Sequence, residues 1–87
     1  MAGVMPPRPR SYEQTAHRRR FGDRVRELRT GQGWSQELLA ERADLHRTYV
    51  VEVEQGRRNA SLDVIHALAV ALGVQEAVLF YVADPEE

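Results

Sequence analysis

Five residues that would share one face of a helix, Arg47, Thr48, Val51, Glu52 and Gln55, carry the side chains best suited to reading an edge of polar groups. The planar fork of Arg47 can bond O6 and N7 of a guanine together, at roughly 1–3 kcal/mol of discrimination. Thr48 and Gln55 can bond to bases or to backbone, and Val51 could pack on a thymine methyl. A carboxylate at Glu52 would be repelled by DNA unless it accepts from cytosine N4 or orients Arg47. Around these stand Gln36, Tyr49, Arg57, Arg58 and Asn59, whose donors suit phosphate oxygens. Tyr49 could equally pack beside Val53, and Arg57 and Arg58 could be ordinary residues of a solvated loop.

The stretch that must position these groups is SQELLAERADLHRTYVVEVEQ, Ser35 to Gln55. It reads as two short helices joined by a tight turn. Ser35 is a good N-cap. Trp34 and Leu39 have the spacing of a hydrophobic staple. Leu39, Ala40 and Ala43 share one face of the first helix, with Glu37, Glu41 and Arg42 turned to water. The turn falls at Asp44-Leu45, and Asp44 is among the few residues that tolerate the left-handed conformation that ends a helix. Val50 and Val53 point the second helix inward, and His46 at its start suits local hydrogen bonding better than metal ligation. The small Ala40 lets the two axes approach. This pattern suits a helix-turn-helix, whose second helix can enter the major groove of DNA. It also suits an ordinary pair of core helices with solvated outer faces.

Length and composition narrow the classes. Eighty-seven residues make one small domain. Cysteine is absent, which excludes disulfides and thiolate metal sites. No apolar run approaches the roughly 18–20 residues needed to span a bilayer. The start, MAGVMPPRPR, lacks the apolar centre of a signal peptide. A cytoplasmic location and no membrane partner are expected. There is no P-loop and no GxGxxG, and His17, His46 and His66 lack metal-site spacing. No catalytic residue, metal or cofactor is therefore expected. The net charge of −1 hides an uneven distribution: residues 1–31 balance at +5 and residues 59–87 at −5. A basic front half suits a protein that turns one side towards phosphates.

In chain order, residues 1–17 are expected to be a disordered basic tail, 18–82 the folded domain and 83–87 an acidic tail. Arg8, Arg10 and the run Arg18-Arg19-Arg20 could follow a DNA backbone, or simply keep a tail solvated. The first helix is predicted from about Arg18 to Thr30, with Phe21, Val25 and Leu28 as its buried stripe. Gly56 should end the second helix of the motif, and Ser61 should cap the next. That helix carries an apolar stripe of Leu62, Ile65, Leu68, Ala69 and Leu72 and stops at Gly73. A last short helix, about Gln75 to Val82, holds Val78, Leu79, Phe80, Tyr81 and Val82 consecutively. One helix face cannot bury five adjacent apolar residues, so some must meet another surface. The fold class is all-α, a compact five-helix bundle.

From Arg20 to Phe80 the chain resembles the phage-repressor/Cro type of helix-turn-helix, the XRE family. The likeness is carried by RVRELR, WSQELLAERA, LHRTYVVEVEQGRRNASL and ALGV, in the family's order and at its spacing. The run LHRTYV…VEQGRRNASL is similar to the controller proteins of restriction–modification systems. The resemblance implies a transcriptional regulator that binds double-stranded DNA as a homodimer on a pseudo-palindromic operator. It implies a structural ion pair between Arg29 and Glu54, and a dimer interface on the last helix through Val78, Tyr81 and Val82, with Leu79 in the core. With no effector domain and no small-molecule effector evident, regulation would come from protein concentration and operator arrangement, with autoregulation and timed activation of a restriction gene. Four residues depart from the family pattern. Leu38 stands where a capping-box Glu is usual, Asp44 replaces the turn glycine, Val51 replaces a polar residue, and Val78 replaces an acidic one. An antitoxin and a protein-interaction module that has lost DNA are the alternatives, the second supported by Val51, Leu38 and the negative net charge.

Overall fold

A computed structural model of the chain describes residues 11–81, with side chains from residue 15 onward. Four α-helices occur in the described residues: α1 (Ser11–Gly31), α2 (Gln36–Ala43), α3 (Arg47–Glu54) and α4 (Leu62–Leu72). A 3₁₀ helix, Glu76–Phe80, follows them. The architecture is all-helical as expected, but the fifth α-helix is replaced by this shorter turn. Its backbone bonds run three residues back, the Val78 amide donating to the Gln75 carbonyl at 2.9 Å, and the carbonyl of Val78 is bonded in the same pattern. It accepts from the Tyr81 amide at 3.3 Å, three residues on, and from Arg24 Nε at 2.9 Å. The bulky run Val78–Tyr81 also has modest helix propensity.

The first helix begins at Ser11, seven residues before the expected start at Arg18. Part of the expected disordered tail is therefore helix. From Ser11 to Phe21 no proline or glycine interrupts the chain, and each residue added to an existing helix gains a hydrogen bond. Residues 1–10, and the expected acidic tail with Val82, lie outside the described residues.

Caps set the remaining boundaries. The hydroxyl of Ser35 accepts from the Leu38 amide at 3.0 Å and that of Ser61 from the Val64 amide at 3.2 Å. Asp44 takes the left-handed conformation at φ 56° and ψ 46°, and the next amide, Leu45, reaches back to the Ala40 carbonyl at 2.8 Å. A glycine is thus dispensable at this turn.

The core gathers Val25 from α1, Leu39, Ala40 and Ala43 from α2, Val50 and Val53 from α3, Leu68, Ala69 and Leu72 from α4, and Leu79. Phe21 and Leu28 are half-buried against it. Leu62 departs from its predicted stripe and is 83% exposed. It is the first residue of α4, ahead of the turns that pack on α2, and Val64 and Ile65 are the residues drawn towards the core.

Two contacts fix α1 to α3. A Cβ added to Gly22 would lie 2.2 Å from the Val53 carbonyl oxygen and 2.9 Å from that of Glu54, so the backbones meet with no side chain between them. At the end of α3, buried Glu54 receives Arg29 through both oxygens, Nε to Oε2 at 2.6 Å and Nη2 to Oε1 at 2.9 Å. The third arm of the guanidinium, Nη1, donates to the Trp34 carbonyl at 2.8 Å. Gln36 Nε2 adds a bond to Glu54 Oε1 at 3.0 Å. One carboxylate therefore ties α1, the α1–α2 loop, the start of α2 and the end of α3. The pairing holds the Arg29 guanidinium above its ordinary pKa, chiefly through the hydrogen bond to Glu54.

Three tests follow from this packing. Gly22→Ala should cost roughly 1–3 kcal/mol, as overpacking does, and lower the midpoint of thermal unfolding. Gly31→Ala, with nothing within 4 Å of the added carbon, should not. Arg29→Met should cost on the order of 3–5 kcal/mol in urea unfolding, because it strands the Glu54 carboxylate away from water. Full stability in that variant would rule out a structural role for the pair. The third concerns Glu76, which His66 Nδ1 approaches at 2.7 Å, holding its carboxyl below the usual range. A lowered folded value means the tie is present above the unfolded pKa and is lost as pH falls through the folded one. An NMR titration should find Glu76 titrating low, and His66→Ala should move it upward.

Candidate nucleic-acid interface

The outward face of α3 is built from its first residue. His46 caps the helix, its Nδ1 accepting from the Thr48 amide at 3.2 Å, and it takes the local role expected of it. Arg47 and Thr48 then stand exposed on the first turn and Gln55 is exposed at the far end, with Val51 and Glu52 half-buried between them. The inner face, Val50, Val53 and Glu54, is buried. The structure thus sets the five proposed base-reading residues on the side of α3 that faces away from the core.

The flanking groups form a cluster on that face. Arg58 turns back from the loop after α3 and donates Nε to Glu52 Oε1 at 2.7 Å, while its guanidinium lies 4.6 Å from the centre of the Tyr49 ring. Glu52 therefore holds Arg58, a partner that the sequence, which offered cytosine N4 or Arg47, did not name. Tyr49 packs half-buried against the core, and its ring is the platform for Arg58. A cation held between a carboxylate and an aromatic face loses little further freedom when it meets a phosphate or a base. Arg57 and Asn59 are exposed beside it. Gln36 is placed differently from a free phosphate donor, since one N–H of its amide is spent on Glu54. Its second N–H, with the backbone amides that open α2, is what it retains for a phosphate.

The surface expected to be a dimer interface lies elsewhere. Val78 is half-buried, whereas Tyr81 is 55% exposed beneath the Arg24 guanidinium, 5.4 Å from the ring centre. Phe80, not singled out from the sequence for this face, is 56% exposed and stacks obliquely on Phe21 at 5.2 Å. The consecutive apolar run was the signal for it; the 3₁₀ repeat, which buries Leu79, decides which neighbours stay out. Arg24 was also missed, because its role is to reach a carbonyl 54 residues away.

A family model described as helix-turn-helix matches residues 25–79. Control protein C.BamHI of Bacillus amyloliquefaciens is 52% identical over 56 residues, which are 63% of this chain and 69% of that protein. The restriction-modification controller protein C.AhdI from Aeromonas hydrophila has a crystal structure that aligns with a TM-score of 0.74 and 51% identity, covering 75% of this chain and 98% of that one. The controller protein C.Esp1396I, solved as a tetramer in complex with its natural 35 base-pair operator, aligns with a TM-score of 0.67 and 27% identity over 72% of this chain and 83% of that one. The chain belongs to the XRE-type helix-turn-helix family, and is similar within it to the controller proteins of restriction–modification systems.

Proposed function

We propose that this protein is a sequence-specific regulator of transcription that binds double-stranded DNA as a homodimer, and that it controls its own gene as restriction–modification controllers do. The observation that carries the reading is the outward face of α3, where Arg47 and Thr48 stand exposed on a helix braced from behind by the buried Glu54. A solved relative of the same fold, C.Esp1396I, is bound to its operator.

In this mechanism α3 enters the major groove with its N-terminal turn foremost. Arg47 bonds a guanine edge, Thr48 and Gln55 take neighbouring bases or backbone, and Val51 packs on a thymine methyl. Glu52 keeps Arg58 extended along the groove, and Arg57, Asn59 and the Gln36 end of α2 grip the phosphates on either side. The exposed Tyr81 and Phe80, together with Val78 and Val82, pair with a second copy about a two-fold axis. That arrangement presents two recognition helices to successive major grooves about 34 Å apart.

Two measurements check this reading. Labelled DNA from upstream of the protein's own gene, titrated beside a scrambled duplex at two salt concentrations, should bind tightly and selectively. Arg47→Ala should lose roughly 1–3 kcal/mol of that preference, and equal weak binding to both duplexes would count against the function. Val78→Glu should shift the protein from dimer to monomer in sedimentation at micromolar concentration. A variant that stays dimeric would remove the 3₁₀ helix from the interface.

A further inference from the structure

The stretch RVRELR carries three arginines on α1, and they are engaged differently. Arg24 donates to the Val78 carbonyl and to Glu27. Arg29 gives all three of its nitrogens to Glu54 and the Trp34 carbonyl. Arg26, one turn before Arg29, has a side chain that is 58% exposed and donates no hydrogen bond among the described residues. Its Nε stands 3.7 Å from Oε1 of the buried Glu54, close enough for attraction and too far for a hydrogen bond.

Glu54 does not need this second cation. Its Oε2 already receives Arg29 Nε at 2.6 Å, and its Oε1 receives Arg29 Nη2 at 2.9 Å and Gln36 Nε2 at 3.0 Å. Two guanidiniums against one carboxylate leave one positive charge over. Among the described residues no other acid takes it up, since Glu27 pairs with Arg24, and Asp23, one turn before Arg26, forms no ion pair. The excess charge is displayed outward, with the N–H donors of the guanidinium unengaged.

The neighbour of this charge selects its acceptor. Arg26 Nε and Gln36 Nε2 are both drawn to Oε1 of Glu54, so they cannot stand farther apart than 3.7 Å and 3.0 Å laid end to end. A planar fork beside a spare amide N–H suits a small anion with several oxygens, and a backbone phosphate is one. We propose that Arg26 of α1 and Gln36 of α2 share one phosphate of the operator backbone, with Glu54 holding both donors from beneath. This rests on the DNA-binding reading above, and it divides the two arginines at Glu54 between separate tasks. Arg29 fixes the fold, and Arg26 adds a contact that is blind to base sequence.

The test uses the full chain as wild type, Arg26→Gln, Arg26→Lys, Gln36→Ala and Arg47→Ala. Each is titrated by fluorescence anisotropy with the upstream duplex and its scrambled counterpart over a salt series. Arg26→Gln should unfold at the temperature of wild type, because an exposed charge at 3.7 Å carries little stability. It should bind about tenfold more weakly, the scale of one charge-assisted hydrogen bond. Its salt slope should fall by about 0.9 for each protomer bound, whereas Arg26→Lys should keep the slope of wild type. The ratio of specific to scrambled binding should be unchanged in Arg26→Gln and reduced in Arg47→Ala. Neutral methylphosphonates placed singly along the duplex should reveal a position in each half-site that costs wild type more affinity than it costs either Arg26→Gln or Gln36→Ala. Different positions for these two variants, an unchanged slope in Arg26→Gln, or a thermal midpoint lowered as far as in Arg29→Met overturns the proposal. If Arg47→Ala leaves base preference intact while the shared phosphate is found, the proposal stands and base reading by Arg47 falls. If wild type shows no salt-dependent binding to either duplex, both fall.

Discussion

A carboxylate shut away from water at the end of a short helix is tolerable only when its charge is met at close range, and the fold of this protein is arranged to meet it. Glu54 takes both arms of Arg29 from α1 and a further bond from Gln36 at the start of α2. The pair forms when α1 and α3 dock, and the bond from Gln36 brings in α2 as a third element. Such a buried pair contributes little net stability compared with apolar residues of the same shape. It joins the ends of α1 and α3 and, through Gln36, the start of α2, and that junction fixes the side on which α3 faces outward.

The electrostatics of the outer face follow a second rule. Net charge is negative for the chain, yet the acid nearest the reading surface, Glu52, is engaged by Arg58, and Arg58 rests on Tyr49. The repulsion that a lone carboxylate would offer to DNA is thereby converted into the means of holding a cation in place. Steering depends on where charge is displayed and not on its sum. A chain near neutrality can therefore present a cationic edge.

Most of the architecture was legible in the sequence because it is written in local rules. Ser35 and Ser61 cap, Asp44 bends, Gly56 and Gly73 stop helices, and the apolar spacing of α2 and α3 names their inner faces. What escaped was set by distant partners or by competition between similar states. Arg24 bonding the Val78 carbonyl ties the last segment to α1, and no periodicity within that segment contains this information. The length of α1 was not legible because the prolines at positions 6, 7 and 9 exclude a helix only where they stand, and nothing from Ser11 onward marks a start. The partners of Glu52 and Gln36 were also beyond reach, since a polar side chain on a helix surface has several neighbours within its radius and the sequence ranks none of them.

The absence of a side chain at Gly22 has a mechanical consequence. Where α1 and α3 touch through their backbones, no rotamer can adjust to change the distance between them. The recognition helix is seated on a hard stop, and its tilt is not a soft variable. In the dimer proposed above, half-sites set one base pair too far apart could not be reached by α3 closing further onto α1, so the mismatch would fall on the seam between the protomers or on the twist and bend of the DNA, whose stiffness varies with sequence. The spacer, untouched by any side chain, would then take part in selecting the operator.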